Sequence, residues 1–224
     1  MALSKDIVDR FLKVDPATFG HYVGGGWMRP EMKPINKLSK MVGPAYTVRI
    51  QGKDSCALYY ALQNAPKGSV IVIDRCGDTT YACVGEMVAL FAECQGFAGI
   101  VIDGPATDSL AIEKSGFPIF CTGISVVTTN VIGVSGEVDV PISCSGAAVR
   151  PGDIVFGDAD GVIVLPPDNY MELLVKAEES VAREVDLRKH FRAGGSFKIN
   201  VDRLWNTDVM AMINELKKFD ERRD

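Results

Sequence analysis

The sequence predicts an α/β protein, and three observations carry that reading. Two short runs, "SVIVID" at 69–74 and "AGIVIDG" at 98–104, are apolar throughout, as strands buried on both faces are. Between them "GEMVALFAECQG" has helical spacing and a terminal glycine, so the first half alternates strand and helix. From residue 124 the chain changes to short β segments divided by Gly and Pro turns.

In chain order, Ile7, Val8, Phe11 and Leu12 mark an N-terminal helix. A second short helix is expected over 17–22, with Asp15 as N-cap and Pro16 at the first helical position. The glycines at 24–26 and the prolines at 30 and 34 then argue for a loop that wraps the domain until Val42. "GPAYTVRI" reads as a strand from its β-branched and aromatic residues, and "SCALYYALQNAP" as a helix ended by Pro66. The helix over 85–96 sets Met87, Leu90, Phe91 and Cys94 on one face. "DSLAIEKSG" reads as a short helix capped by Asp108, and "FPIFCTG" as the next strand. "ISVVTTNVIGVSGEVDV", "PISCSGAAV" and "DIVFGDADGVIVLP" supply the β segments of the second half. Helical periodicity returns with Met171, Leu174, Val175, Val181 and Val185, stops at Gly194 and Gly195, and resumes in a last helix from about Asn206. These C-terminal helices are candidates for subunit contacts.

Composition narrows the functional classes. With 224 residues, 47% of them hydrophobic and 24% charged, the chain is an ordinary globular one with ample material for a core. A formal charge of −5 provides no global basic field, so neither nucleic acid nor an anionic membrane surface is an expected partner. Six scattered cysteines without a CxxC pair read as reduced core residues. The N-terminus lacks the continuous apolar region of a signal peptide, and a cytoplasmic location is the expectation.

In sheets of this kind ligands bind beyond the carboxyl ends of the strands. "VIVIDRCGD" sets Asp74, Arg75 and Asp78 past one such end, and "IVIDGPATD" sets Asp103, Thr107 and Asp108 past the next. Gly85, Glu86, Met87 and Val88 form the first turn of the intervening helix. Its free N–H groups, with no Cβ at Gly85 to obstruct approach, can hold a carboxylate or phosphate. Asp108 and Glu86 beside that pocket suit a hard cation such as Mg²⁺ or Mn²⁺. The plainer readings are that Asp108 caps its helix, Glu86 favours a helix start and Gly85 permits close packing. "GDADGV", with Asp158 and Asp160, lacks the later ligands of a calcium loop and reads as a turn between strands. His21 and His190 are too far apart for local metal spacing, and no nucleotide fingerprint is present.

Together and in this order, "GPAYTV", "GSVIVID", "VGEMVALFAECQGFAGIVIDGPATD", "GFPIF" and "VPISCSGAAVRPGDIVFGDADGVIVLP" resemble the RraA-like family. That family includes 4-hydroxy-4-methyl-2-oxoglutarate aldolase and the regulator of ribonuclease activity A. The likeness covers a core of about 43–166, leaving 1–42 and 167–224 as helical extensions of a single domain over 1–224. It implies an αββα sandwich of the swivelling phosphohistidine-domain type, with extra N- and C-terminal helices, assembled as homotrimers or homohexamers. It also implies a lyase on a small 2-oxo acid that releases pyruvate, by retro-aldol cleavage of 4-hydroxy-4-methyl-2-oxoglutarate-like substrates or decarboxylation of oxaloacetate. In that scheme Asp108 is the metal ligand, with Mg²⁺ first and Mn²⁺ second as the ion. Gly85, Glu86, Met87, Val88 and Thr107 bind substrate, and Glu86 orders water or relays a proton. The alternative the family offers is a non-catalytic oligomeric regulator that binds a partner protein such as a ribonuclease, for which the acidic balance suits a basic partner.

One departure bears on activity. Thr107 stands where the family carries an arginine, and Ala111 where an acidic residue is common. A threonine hydroxyl cannot supply a bidentate cation. Arg75, beyond the neighbouring strand, is the candidate to replace that guanidinium as a catalytic group; the competing reading pairs it with Asp74 or Asp78.

Overall fold

The computed structural model describes residues 2–196. The chain opens with α1 (Lys5–Phe11), whose N-cap Ser4 accepts the Ile7 N–H, then α2 (Pro16–Phe19), with Asp15 at its N-cap and Pro16 at its first position. A two-residue strand, β1 (Lys33–Pro34), precedes the β-α-β series of β2 (Met41–Arg49), α3 (Cys56–Asn64), β3 (Val70–Asp74), α4 (Glu86–Gln95), β4 (Gly99–Ala106), α5 (Ser109–Ser115) and β5 (Ile119–Ile124). The second half is β6 (Glu137–Val138), the hairpin β7 (Ile142–Cys144) and β8 (Ala147–Val149), the hairpin β9 (Ile154–Asp158) and β10 (Gly161–Leu165), and the long helix α6 (Tyr170–Arg192).

Strands β2, β3, β4 and β5 run parallel, and β9 pairs antiparallel with β2, giving the order β1-β5-β4-β3-β2-β9-β10. The apolar runs of β3 and β4 are explained by their two buried faces. Ile71, Ile73, Ile100 and Ile102 pack toward α3, α4 and α5, with Leu58, Ala89 and Ile112. Val70, Val72 and Val101 face the other way, toward Ile142, Cys144 and Val149 of the β7–β8 hairpin. A third cluster joins α1, α2 and the first turns of α6 through Phe11, Phe19, Phe156, Leu165 and Leu174. Phe11 stacks on Phe19 at 5.6 Å between centroids, and Phe156 meets Phe11 edge-on at 5.2 Å.

The expected wrapping loop does more than wrap. The Met28 N–H donates to Val162 O at 3.0 Å and the Val164 N–H to Gly26 O at 2.8 Å, so residues 26–28 lie along the outer side of β10. Five residues after Met28, β1 pairs antiparallel with β5. Lys33 Nζ also donates to Asp160 O in the β9–β10 turn. This segment therefore bridges the two ends of the sheet and makes it a nearly closed barrel. Gly26 is required there: at φ +93° a Cβ would stand 2.3 Å from Val164 O.

Other expectations are corrected. The helix expected over 17–22 ends at Phe19, and 125–136 is an extended loop with isolated bridges at Thr128 and Asn130 rather than a series of strands. The large apolar face of α4 points outward: Ala89 and Ala92 are buried, whereas Met87, Leu90, Phe91 and Cys94 are exposed. Small residues let the helix backbone approach the sheet closely, which leaves the bulky ones outside. All six cysteines are free, but only Cys83, Cys121 and Cys144 are buried. "GDADGV" is the β9–β10 turn, with the Asp160 N–H held by Asp158 Oδ1.

By contacts the chain divides into a unit over 1–181 and another over 182–224. In the second, the described residues are the last turns of α6 and a short turn through 196, where Glu184 and Arg188 form an i,i+4 pair. The last helix expected from about Asn206 falls outside the described residues. No helix among the described residues is long and apolar enough to cross a membrane.

Candidate functional site

Parallel β3 and β4 end side by side, with Asp74 aligned to Asp103, and beyond them the chain enters α4 and α5. Gly85 is the N-cap of α4, in extended backbone at φ −129°. Asp108 is the N-cap of α5 in the left-handed region at φ 53°, yet its side chain makes no cap to its own helix. Its Oδ2 instead accepts the Glu86 N–H at 3.0 Å, at the start of the neighbouring α4. The segment is fastened below by the Thr107 N–H donating to Val84 O at 2.9 Å.

The absence of a side chain at Gly85 makes this possible. A Cβ there would lie 2.5 Å from Asp108 Oδ2 and 2.8 Å from Thr107 Cγ2. Thr107 thus turns its methyl group toward the helix start. Glu86 and Asp108 are exposed, and Gly85 and Thr107 partly so. Met87 and Val88 follow in the first turn, where N–H groups have no acceptor within their own helix. The structure therefore brings Gly85, Glu86, Met87, Val88, Thr107 and Asp108 together. It offers one carboxylate at a helix start, a second beside it, and backbone donors for an anion.

Arg75 is placed differently. Its side chain is fully buried, and Nη2 donates to Gly52 O at 2.7 Å, Asp78 Oδ2 at 3.0 Å and Tyr81 O at 3.2 Å. The pairing with Asp78 is observed, inside the protein rather than on its surface. No hydrogen bond joins it to Asp108. Asp74 and Asp103 also face inward from the helix layer: Asp74 accepts the Cys76 N–H at 2.7 Å and Arg49 Nε at 3.4 Å, and Asp103 the Ser145 N–H at 2.7 Å. His21 and His190 are exposed.

Among the described residues no group of three His, Cys, Asp or Glu side chains converges on a point that could hold a metal ion. Cation binding here would rest on Asp108, with Glu86 near it and water completing the shell, as Mg²⁺ often accepts. Thiol chemistry is disfavoured: burial pushes the Cys83 thiol up to about 11 and the Cys144 thiol well above its ordinary value, so both stay protonated and inert. Sequence reasoning missed Asp54. Its Oδ1 accepts the N–H of Cys56 and Ile132, and its Oδ2 those of Val134 and Ser135, at 2.6 to 3.1 Å. Its place just before α3 gave the signal of a local cap, which hides a contact eighty residues away.

Comparison with known proteins sets this geometry in a family. Residues 4–164 match the family RraA-like, described as aldolase/RraA. A relative from Halalkalibacterium halodurans, named "putative 4-hydroxy-4-methyl-2-oxoglutarate aldolase", is 42% identical over 151 residues, 67% of this chain and 71% of its own. Among solved structures, Streptomyces coelicolor RraAS2, described as an unusual member of the RNase ES inhibitor RraA protein family, superposes with a TM-score of 0.73. It is 26% identical and covers 84% of this chain and 98% of its own. The RNA-processing inhibitor RraA from Thermus thermophilis gives a TM-score of 0.60 at 26% identity, over 66% of this chain and 88% of its own. With the Gly85-Glu86 turn and Asp108 meeting in space as the shared motifs imply, the chain belongs to the RraA-like family.

Proposed function

We propose that the protein is a divalent-metal-dependent lyase acting on a small 2-oxo acid and releasing pyruvate. The observation that carries this reading is the contact of Asp108 Oδ2 with the Glu86 N–H across Gly85. It fixes a carboxylate with a free Oδ1 beside unsatisfied helix-start donors. Asp108 would hold the cation, Mg²⁺ before Mn²⁺, with Glu86 completing its surroundings through water. The fit rests on hard oxygen donors, brought to the helix start because Gly85 has no side chain to keep the Asp108 carboxylate away. A cation bound there supplies a sink for the negative charge that both retro-aldol cleavage and oxaloacetate decarboxylation develop. The N–H groups of Met87 and Val88 hold and orient the substrate carboxylate, and Glu86 moves a proton between water and the reacting carbon. The relative from H. halodurans supports the substrate class by its name.

Kinship with swivelling phosphohistidine domains and assembly as a homotrimer or homohexamer belong to the same proposal. In support of assembly, Tyr59 and Tyr60 on α3, Met87, Leu90 and Phe91 on α4, and Val126, Val131 and Val134 in the loop are all exposed. A monomer that leaves so much apolar surface in water has a cover to find.

The second reading is a regulator that binds a partner protein, such as a ribonuclease, without catalysis. The methyl group of Thr107 in place of a guanidinium favours it, as do the names of the two RraA structures. The deciding experiment measures pyruvate release from 4-hydroxy-4-methyl-2-oxoglutarate and from oxaloacetate, with Mg²⁺ and with chelator, for the native protein and Asp108→Ala. Turnover that requires metal and disappears in the variant supports the lyase. None on either substrate removes this lyase reading and leaves the regulator.

A further inference from the structure

Arg75 is the largest fully buried side chain among the described residues, and the chemistry proposed above makes no use of it. Nε and Nη1 are both buried without a hydrogen-bond partner, while Nη2 alone meets three acceptors. A guanidinium enclosed at such cost, with one carboxylate for compensation, is held for what its one engaged nitrogen ties together. Those acceptors belong to two loops: Gly52 follows β2, and Asp78 and Tyr81 lie in the loop that leads from β3 into α4.

We propose that Arg75 is a positioning residue for the Gly85–Asp108 site, an inference that rests on the reading of that site given above. Two routes connect them. The first follows the chain: Asp78 Oδ1 accepts the N–H of Thr80 and Tyr81, so with Arg75 it fixes the turn 78–81. From there Ala82 is pinned to the 127–129 segment, Val84 O holds the Thr107 N–H, and Gly85 delivers the Glu86 N–H to Asp108. The second route is packing: Arg75 Cγ lies 2.6 Å from where a Cβ of Gly104 would stand, so the side chain rests on β4 four residues before Asp108. One residue thereby sets both the helix start and the strand end whose meeting makes the site. A lysine ammonium, with three protons on one nitrogen, can serve the same three acceptors, whereas methionine can serve none.

The test compares the full-length native protein with Arg75→Met, Arg75→Lys and Asp108→Ala by amide hydrogen exchange. It follows the Glu86 N–H against amides of the β9–β10 hairpin in the same molecule. Arg75→Met should speed Glu86 exchange by about tenfold relative to the hairpin, the worth of one hydrogen bond, as Asp108→Ala does, and Arg75→Lys should return it to near the native rate. Mn²⁺ affinity should fall in parallel. Glu86 exchange unchanged in Arg75→Met, or changed only in step with the hairpin, overturns the proposal. Should Arg75→Met fail to fold because Asp78 is left without its partner, the double variant Arg75→Met/Asp78→Asn removes both charges and is read the same way. A native protein that neither binds Mn²⁺ nor releases pyruvate removes the lyase reading, while the exchange comparison still decides the positioning.

Discussion

Gly85 shows how much a missing side chain can do. Its backbone lies in extended space open to any residue, so the demand for glycine is steric and comes entirely from Asp108 and Thr107. Gly85→Ala should therefore fold with a Tm loss of only a few degrees while displacing the Asp108 carboxylate, and lyase turnover should drop about a hundredfold. Thermal melts and pyruvate release on the same preparation check both halves. The reverse experiment lies one step away: Thr107→Arg places a guanidinium where the sequence resemblance implies one, and under the proposed lyase reading turnover should rise by about two orders of magnitude. An unchanged rate would show that this chain does not use a cation at that position. Residue types and spacing placed Gly85 and Glu86 at a helix start and Thr107 and Asp108 past a strand end, because both are local features, but did not show that the two meet, and they offered Arg75, which the structure engages elsewhere. The direction of Asp108 was not legible. The residue before a short helix reads as its cap, and only the strand alignment reveals that the neighbouring helix is nearer.

Elements that leave the main sheet are each fastened by one aspartate. Asp103 receives the β7–β8 turn through Ser145, and Asp54 receives the loop at 132–135. At Asp54 burial pushes the carboxyl up, but the backbone N–H groups of Cys56, Val134, Ser135 and Ile132 more than offset it and hold the group well below the usual carboxylate range. The lowered value means that the folded form favours the ionised group. Its contribution is then fully present above the unfolded pKa of about 4 and lost as pH falls through the folded one. Protease sensitivity at 130–135 should accordingly rise in acid below about pH 4, and Asp54→Asn should show it already at pH 7. If the variant keeps native resistance at neutral pH, the aspartate does not hold the loop. Helix and strand positions in the first half followed from periodicity, since β3 and β4 are apolar on both faces and α3–α5 have clear stops. The loop at 125–136 did not, because its valines and isoleucine imitate a strand while pointing away from the core.

On the scale of the whole molecule, the exposed face of α4 is the feature to test. Phe91 is 40% exposed and lines, with Met87 and with Tyr59 and Leu62 of α3, a cleft of about 250 Å³ between the helices. Phe91→Glu should leave the fold intact, as its side chain is outside the core, and lower the proposed trimer or hexamer to monomers by light scattering; a native mass retained would overturn an interface at this face. The parallel architecture and β-rich second half could be read from the sequence, but closure of the sheet could not. It depends on Gly26, Met28 and Lys33, which sit in a stretch whose glycines and prolines announce only irregularity.

That closure also protects the chain from itself. Residues 26–28 occupy the outer side of β10, and β1 occupies that of β5, so a single strap shields two strands that would otherwise offer bare hydrogen-bonding rims to other molecules. Loss of the strap exposes both rims together, on opposite ends of one sheet. A molecule with two such ends can add copies in sequence, and the damage done by Gly26→Val should appear as turbid, thioflavin-positive polymer at concentrations where the native protein stays clear.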